Sequence, residues 1–275
     1  MYDVAALEAA LTGTAFAGKL HFSSVTGSTN SDAMAAARAG GPHGSVYFAD
    51  EQIAGRGRGD HRWDSAAGQG LYVSVLLRPG ISSRSLPLLP LVAGLAAANA
   101  VALAAGLKVD LRWPNDLLIS TPQTETSPWG PRGGEKKAGG ILVESKTDGN
   151  DVVFAVVGIG INVHQRRFDP ELATPATSLD IEAGRAISRQ ALLVALLKSL
   201  QQETALLHDP AVSAVVPARV AEASTWLWGR QVDVHGPQAC TGVTAGLDEN
   251  GFLRVRTTDG VVTVQTGGIR AAKTD

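Results

Sequence analysis

Between Gln52 and Trp63 the chain reads QIAGRGRGDHRW, which sets Arg56, Arg58 and Arg62 among Gly55, Gly57 and Gly59 and ends on an indole. Glycines let backbone N–H groups approach and face a ligand, and guanidinium groups pair with anionic oxygens. The stretch is either a clamp for a small anion or a solvated loop, and its composition does not choose between them. A second polar intrusion, Asn115-Asp116, follows Trp113-Pro114 inside the apolar run KVDLRWPNDLLI, where unpaired polar groups are costly to bury. A turn or bulge at Pro114 explains it on structural grounds, and contact with a nucleotide or a metal explains it on functional ones. Asn162, at the end of VVGIGIN, is open to the same two readings, as a cap or as a ligand contact. Lys136 and Lys137 stand just ahead of Gly139 and Gly140. One ammonium there could face a phosphate or carboxylate at a pocket rim, or both lysines could simply end a solvated turn.

The standard nucleotide fingerprints fail. GRGRGD and GIGINV carry Asp60 and Val163 where G-x-G-x-x-G needs its third glycine, and G-x-x-x-x-G-K-[ST] is absent. With 24 basic against 26 acidic residues in 275, the chain lacks the cationic excess of a bulk nucleic-acid binder. This weighs against a non-catalytic nucleic-acid-binding or adaptor protein. A single cysteine, Cys240, excludes an internal disulfide framework and a cysteine-based zinc cluster. The N-terminus shows no basic segment followed by an apolar run, so a cytoplasmic location is expected. Leu86 to Leu107 carries no charge over a length that could span a bilayer, but it is rich in Ala and contains Pro87, Pro90 and Asn99. Such a segment gains little from lipid, and a buried helix is expected.

These polar stretches must be held by regular elements. Thr29 to Asp32 has the form of a capping box, opening a helix closed by Gly40 and Gly41. SVYFAD and LYVSVLLR predict strands on either side of the arginine loop. KVDLRWPNDLLI predicts one strand interrupted at Pro114, and Ser120 to Glu135 a polar loop. GGILVES and VVFAVVGIGINV predict two more strands, the second central. Ser188 opens an amphipathic helix through His208. From Trp226 onward short alternating strands, with turns at Glu249-Asn250-Gly251 and Asp259-Gly260, predict a small antiparallel barrel. The expected organisation is a mixed α/β domain of about 215 residues, a helical connection and a barrel of about 50, with domains at 1–222 and 223–275.

Taken together, GSTN at Gly27 to Asn30, QIAGRGRGDHRW, RWPNDLLI, KKAGGILVE and GIGINV occur in the order and approximate spacing of biotin protein ligases. The chain resembles that family from about Leu20 to its end. The resemblance implies an α+β catalytic domain similar to class II aminoacyl-tRNA synthetases, followed by an SH3-like barrel. It implies activation of biotin by ATP and Mg²⁺ to biotinyl-5′-AMP and pyrophosphate. The biotinyl group would then pass to a lysine of a biotin carboxyl carrier protein.

Matched residue by residue, Ser28, Thr29, Asn30 and Gln52 would line the biotin site, whose ureido ring suits short polar side chains. Arg56, Gly57 and Arg58 would cover biotin and the adenylate, with Gly140 also at the biotin site. Lys137 and Arg58 would be the catalytic cations, countering charge as a carboxylate attacks a phosphate. Trp63, Asn115, Asp116 and Asn162 would serve the nucleotide, and the metal ligand is not assigned. A loop that orders over the adenylate would also keep water from a hydrolysable anhydride. Lipoate or octanoate ligases and transferases of the same superfamily are the nearest alternative. Asp60 and His61 depart from the family's usual glycine and arginine, which weakens phosphate contacts from the middle of the loop. With only about 20 residues ahead of the catalytic region, the resemblance implies a monofunctional enzyme without a DNA-binding domain, away from membranes. A homodimer is compatible with it.

Overall fold

The structure, a computed structural model, describes residues 2–59, 61–121 and 134–272. The expectations for Asp60 and for residues 122–133 of the polar loop lie outside the described residues.

The elements run α1 (Val4–Ala10), β1 (Leu20–Thr26), α2 (Thr29–Arg38), β2 (Ser45–Gln52), β3 (Gly70–Leu77), α3 (Leu89–Ala105), β4 (Val109–Arg112), β5 (Asp116–Thr121), β6 (Gly134–Asp148) and β7 (Asp151–Asn162). After these come α4 (Leu179–Ala183), α5 (Arg189–Ala205), α6 (Pro210–Ser213) and α7 (Val216–Glu222). The chain closes on β8 (Trp228–His235), β9 (Cys240–Leu247), β10 (Leu253–Thr257), β11 (Gly260–Val264) and β12 (Gly268–Ala271). The first seven strands form one sheet in the order β1-β2-β3-β7-β6-β5-β4. Only β1 and β2 pair in parallel within it. The last five form an antiparallel sheet, β11-β10-β9-β8-β12.

Both faces of the large sheet are covered, and strand alternation sorts the side chains. Val73, Val75 and Leu77 of β3, with Val157, Ile159 and Ile161 of β7, belong to the core that includes α3 and α5. Leu76, Phe154 and Val156 pack instead with Ala33 and Ala37 of α2. Strands buried on both faces read as nearly continuous apolar runs, as LYVSVLL does. The uncharged segment expected to be a buried helix is α3 with its preceding 3₁₀ turn. By length and composition Ser83–Ala105 could cross a membrane, but 67% of its most apolar window is buried in the fold.

Two expectations need correction. The capping box does not form: Ser28 holds the N-cap position without a side-chain cap bond, and Thr29 is already helical. Asp32 instead accepts the Thr26 hydroxyl at 2.6 Å, because the polar groups at this helix start are engaged across the sheet. KVDLRWPNDLLI is two strands rather than one, β4 and β5, turning at a cis Trp113-Pro114 bond. The α1 helix and the β1 strand, together with the short helices α4, α6 and α7, supplement the elements read from the sequence.

The small sheet docks firmly. Trp226, Leu227, Val232, Val234, Leu253 and Val255 belong to the same continuous core as α3 and α5. Trp113 also donates its indole N–H to the Gly251 carbonyl at 3.1 Å.

Candidate active site

The arginine loop leaves β2 at Gln52 and closes as a narrow hairpin. Gly57 N–H donates to the His61 carbonyl at 2.7 Å, Trp63 N–H donates to Gly55 O at 3.0 Å, and Arg56 and Arg62 pair as an antiparallel bridge. A side chain at Gly55 would overlap the Trp63 carbonyl and Ser65 Oγ, so this glycine is required by packing. Two of the three arginines reach named partners. The Arg56 guanidinium is bidentate to the Glu144 carboxylate, with Nη1 at 3.1 Å from Oε1. Arg58 crosses to the small sheet, donating to the Gly267 carbonyl and, at 2.9 Å, to Thr266 Oγ1. Burial pushes the Arg58 pKa below its usual value, and the Asp116 carboxylate works in the opposite direction.

Beneath the loop, a chain of side chains links four elements. Asn30 Nδ2 donates to Glu144 Oε2 at 2.9 Å, and Asn30 Oδ1 accepts from Ser74 Oγ at 2.6 Å. Because Ser74 spends its hydrogen on Asn30, the Thr29 hydroxyl donates to Ser74 Oγ at 2.8 Å, while the Thr29 N–H donates to Gln52 Oε1 at 2.9 Å. Gln52 Nε2 in turn donates to Ser65 Oγ at 2.8 Å, which reaches the Trp63 carbonyl. Thr29, Asn30 and Ser74 are all buried, so these bonds satisfy groups that would otherwise be costly to enclose.

The β4–β5 turn supplies the other wall. Strand pairing sets Asp116 opposite Arg112 on β4 and opposite Gly140 on β6. Its Oδ1 lies 2.5 Å from Lys137 Nζ, and its Oδ2 accepts from Arg112 at 2.6 Å. Burial alone would raise the Asp116 pKa, but Lys137 and Arg112 together outweigh it and hold the carboxyl below its usual range. Arg112 is buried, lies over the Trp226 ring at 5.1 Å and also donates to Thr174 Oγ1. Asn115 Nδ2 donates to the Ile141 carbonyl at 2.8 Å while the backbone carbonyl of Asn115 accepts the Ile141 N–H. The turn at Pro114 and the polar wall are therefore one feature, and the two readings of RWPNDLLI are not exclusive. Lys136 points elsewhere, with Nζ 3.9 Å from the buried Glu182.

β7 explains GIGIN. A Cβ on Gly158 would overlap Asn30, and one on Gly160 would come within 2.6 Å of Trp63 Nε1. The two glycines sit two residues apart on one face of the strand and leave room for two side chains that project over it. Asn162 ends the strand and donates to the Thr177 carbonyl at 3.0 Å.

These parts enclose one cavity of about 1010 Å³, and every residue assigned from the resemblance to biotin, nucleotide or catalysis lines it, whereas Lys136 does not. Ser28, Thr29, Asn30 and Gln52 lie along its wall with Gly140; Arg56, Gly57, Arg58 and Trp63 come from the loop; Asn115, Asp116, Lys137 and Asn162 complete it. Sequence reading missed Ser74, Arg112 and the small-sheet segments around His235 and Thr266, all of which also line it, and it missed Glu144. The indole Nε1 of Trp63 is buried without a hydrogen-bond partner, packed over Gly160. Asp64, Asp116 and Asp169 line the cavity, but among the described residues no group of three carboxylate, histidine or cysteine side chains is placed to hold a metal.

A cavity combining fixed cations, amide-edged polar walls and a glycine-rich cover can bring two anionic groups together. Residues 25–162 match the biotin/lipoate A/B protein ligase family. The bifunctional ligase/repressor BirA of Bacillus spizizenii is 31% identical over 256 residues, covering 91% of this chain and 73% of that protein. The biotin–[acetyl-CoA-carboxylase] ligase of Mycobacterium tuberculosis is 31% identical over 252 residues, covering 89% and 85%. Among solved structures, the biotin protein ligase from Aquifex aeolicus in complex with biotin and ATP superposes with a TM-score of 0.74 at 27% identity, covering 92% of this chain and 98% of that one.

Proposed function

The chain belongs to the biotin/lipoate A/B protein ligase family, and within it we propose that this protein is an ATP-dependent biotin protein ligase that makes biotinyl-5′-AMP and transfers biotin to a lysine of a biotin carboxyl carrier protein. One observation carries this reading: residues assigned to biotin and to nucleotide, drawn from five separate segments, converge on a single cavity. Relatives that match about nine tenths of the chain, 89% and 92%, are named as biotin ligases, which favours biotin over lipoate.

In the first step an oxygen of the biotin carboxylate attacks the α-phosphorus of ATP, and the bond to pyrophosphate breaks. Lys137 and Arg58 are the cations suited to the negative charge that collects there. Asp116 fixes the Lys137 ammonium at the cavity wall. Ser28, Thr29, Asn30 and Gln52 form the biotin wall, and Asn115, Asn162 and the unpaired indole of Trp63 lie on the nucleotide side. In the second step the carrier lysine's amine attacks the acyl carbon and AMP leaves. A biotin-dependent carboxylase is the acceptor class, and its biotin carrier domain is the specific partner proposed. The Asp64, Asp116 and Asp169 carboxylates are not grouped as a metal site, so magnesium enters this reading as the counter-ion of the triphosphate.

Incubation with ATP, Mg²⁺ and biotin followed by mass spectrometry should reveal protein-bound biotinyl-5′-AMP. Lys137→Ala and Arg58→Ala should each slow pyrophosphate release by roughly 10²–10³, the usual cost of losing one preorganised transition-state contact. Pyrophosphate release with lipoate and none with biotin would replace this reading.

A further inference from the structure

We infer that Glu144 is a positioning residue that ties the arginine loop to the pocket end of α2, so that occupancy of the biotin wall and closure of the loop are coupled; this rests on the ligase reading of the cavity. Glu144 follows the KKAGG segment on β6 and has no assigned role in the chemistry. Its carboxylate serves two partners from different parts of the site. It accepts Asn30 Nδ2 at 2.9 Å and takes the Arg56 guanidinium bidentately.

A surface ion pair of this kind would ordinarily contribute little. Here it does not end at the pair. Asn30 is 4% exposed, and the hydrogen bonds continue from it through Ser74, the hydroxyl and backbone N–H of Thr29, Gln52 and Ser65 to the Trp63 carbonyl. Arg56 and Trp63 bracket the arginine loop, so both of its ends attach to one continuous chain of side chains beneath the cavity. Glu144 supplies the only charged link in that chain.

The chemistry of the link also sets which way Asn30 faces. A carboxylate only accepts, so it selects the Nδ2 edge of the amide, and Ser74 Oγ takes the Oδ1 edge at 2.6 Å. One N–H and one lone pair of Asn30 remain for a ligand in a fixed arrangement. Any ligand that shifts Asn30 must therefore be felt at Arg56, and closing Arg56 must be felt at Asn30, because coupling between two sites is reciprocal.

The test compares Glu144→Gln, Arg56→Ala and the double variant in biotin-dependent pyrophosphate release, together with tryptic cleavage after Arg58 and Arg62, the loop sites that all of them keep, in the protein without ligand. Glutamine keeps an acceptor for Asn30 but removes the charge that holds Arg56 and permits the amide to flip. Glu144→Gln should raise the KM for biotin about tenfold, within the usual range of site coupling, and lower kcat by less than about threefold. The double variant should be no worse than the worse single one, because both substitutions break the same link. Cleavage of the loop should be several-fold faster in either single variant. Multiplying effects in the double variant, a wild-type KM in Glu144→Gln, or unchanged cleavage would each overturn the inference. If the wild-type protein releases no pyrophosphate with biotin, the ligase reading fails while cleavage still decides whether Glu144 holds the loop. If Glu144→Gln does not fold, Arg56→Ala alone must show the faster cleavage and the raised KM.

Discussion

Asp116 holds two cations at once: Lys137 Nζ lies 2.5 Å from its Oδ1, and Arg112 Nη2 lies 2.6 Å from its Oδ2. Lys137 is thus anchored by an anion that is itself anchored from behind, and Arg112 is in turn packed over Trp226, whose other close cation is Arg230 at 3.6 Å. The position of the ammonium in the cavity is set by packing that reaches into the small sheet. Asp116→Asn should leave both cations without their counter-charge. Breaking a buried pair costs about 3–5 kcal/mol, and since Lys137 can swing toward the cavity the lower end is expected. Adenylate formation should fall roughly 10²-fold as the ammonium loses its fixed place. Thermal unfolding and single-turnover kinetics check both, and a variant with wild-type values in each would show that Asp116 does not position Lys137.

The same pair predicts an acid dependence of stability. Lys137 and Arg112 together depress the Asp116 pKa below its ordinary value of 3.8 against the effect of burial. The unfolded chain therefore takes up the proton at higher pH than the folded one. The stabilisation is fully present above the ordinary value and is lost as pH falls through 3.8 toward the lower folded value. Denaturant unfolding from neutral pH down to about pH 2 should show the gap between wild type and Asp116→Asn constant at the upper end and narrowing below about pH 4. A gap that stays constant to the acid limit would contradict the pKa direction.

What could be read from the chain beforehand follows physical lines. The arginine loop, Asn115-Asp116 and Asn162 were visible because each sets polar or cationic groups in an apolar surrounding, a local inconsistency that needs a cause. GIGIN was visible as a pair of glycines in a strand, but its purpose was not, because the groups it accommodates, Asn30 and Trp63, arrive from other elements. Ser74 inside LYVSVLL and Glu144 in GGILVES look like ordinary strand residues. Their roles come from partners 44 and 88 residues away in sequence. The misread capping box has the same origin, since Thr29 turns to Gln52 and Ser74 rather than to its own helix. The short α1 helix, seven residues, offers too little periodicity to be recognised.

Arg58 spans 208 residues of sequence to reach Thr266 in the β11–β12 connection of the small sheet and also meets the Gly267 carbonyl. Its planar fork serves both acceptors, which a single ammonium cannot do in the same geometry. Arg58→Lys should therefore behave more like Arg58→Ala than like wild type in adenylate formation. Thr266→Val, which removes one acceptor of the two, should cost about 0.5–1.5 kcal/mol in transition-state stabilisation. Measurement of kcat/KM for ATP and biotin separates these. Full activity in Arg58→Lys would mean that charge alone matters at this position and that the contact with the small sheet is incidental.

Gly158 and Gly160 offer the sharpest division of the cavity, because the side chains above them belong to opposite ends of the proposed reaction. An added methyl on Gly158 meets Asn30 at the biotin wall, and on Gly160 it lies 2.6 Å from Trp63 Nε1. Neither neighbour is the free end of a flexible chain: Asn30 is locked by Glu144 and Ser74, and Trp63 is tied to Gly55 through its backbone. Each Gly→Ala change should therefore cost about 1–3 kcal/mol in stability through overpacking. Their kinetic effects should separate, with Gly158→Ala raising the KM for biotin and Gly160→Ala raising the KM for ATP. If the two variants exchanged these phenotypes, the biotin and nucleotide ends of the cavity would have to be reversed, with Trp63 moved to the biotin side.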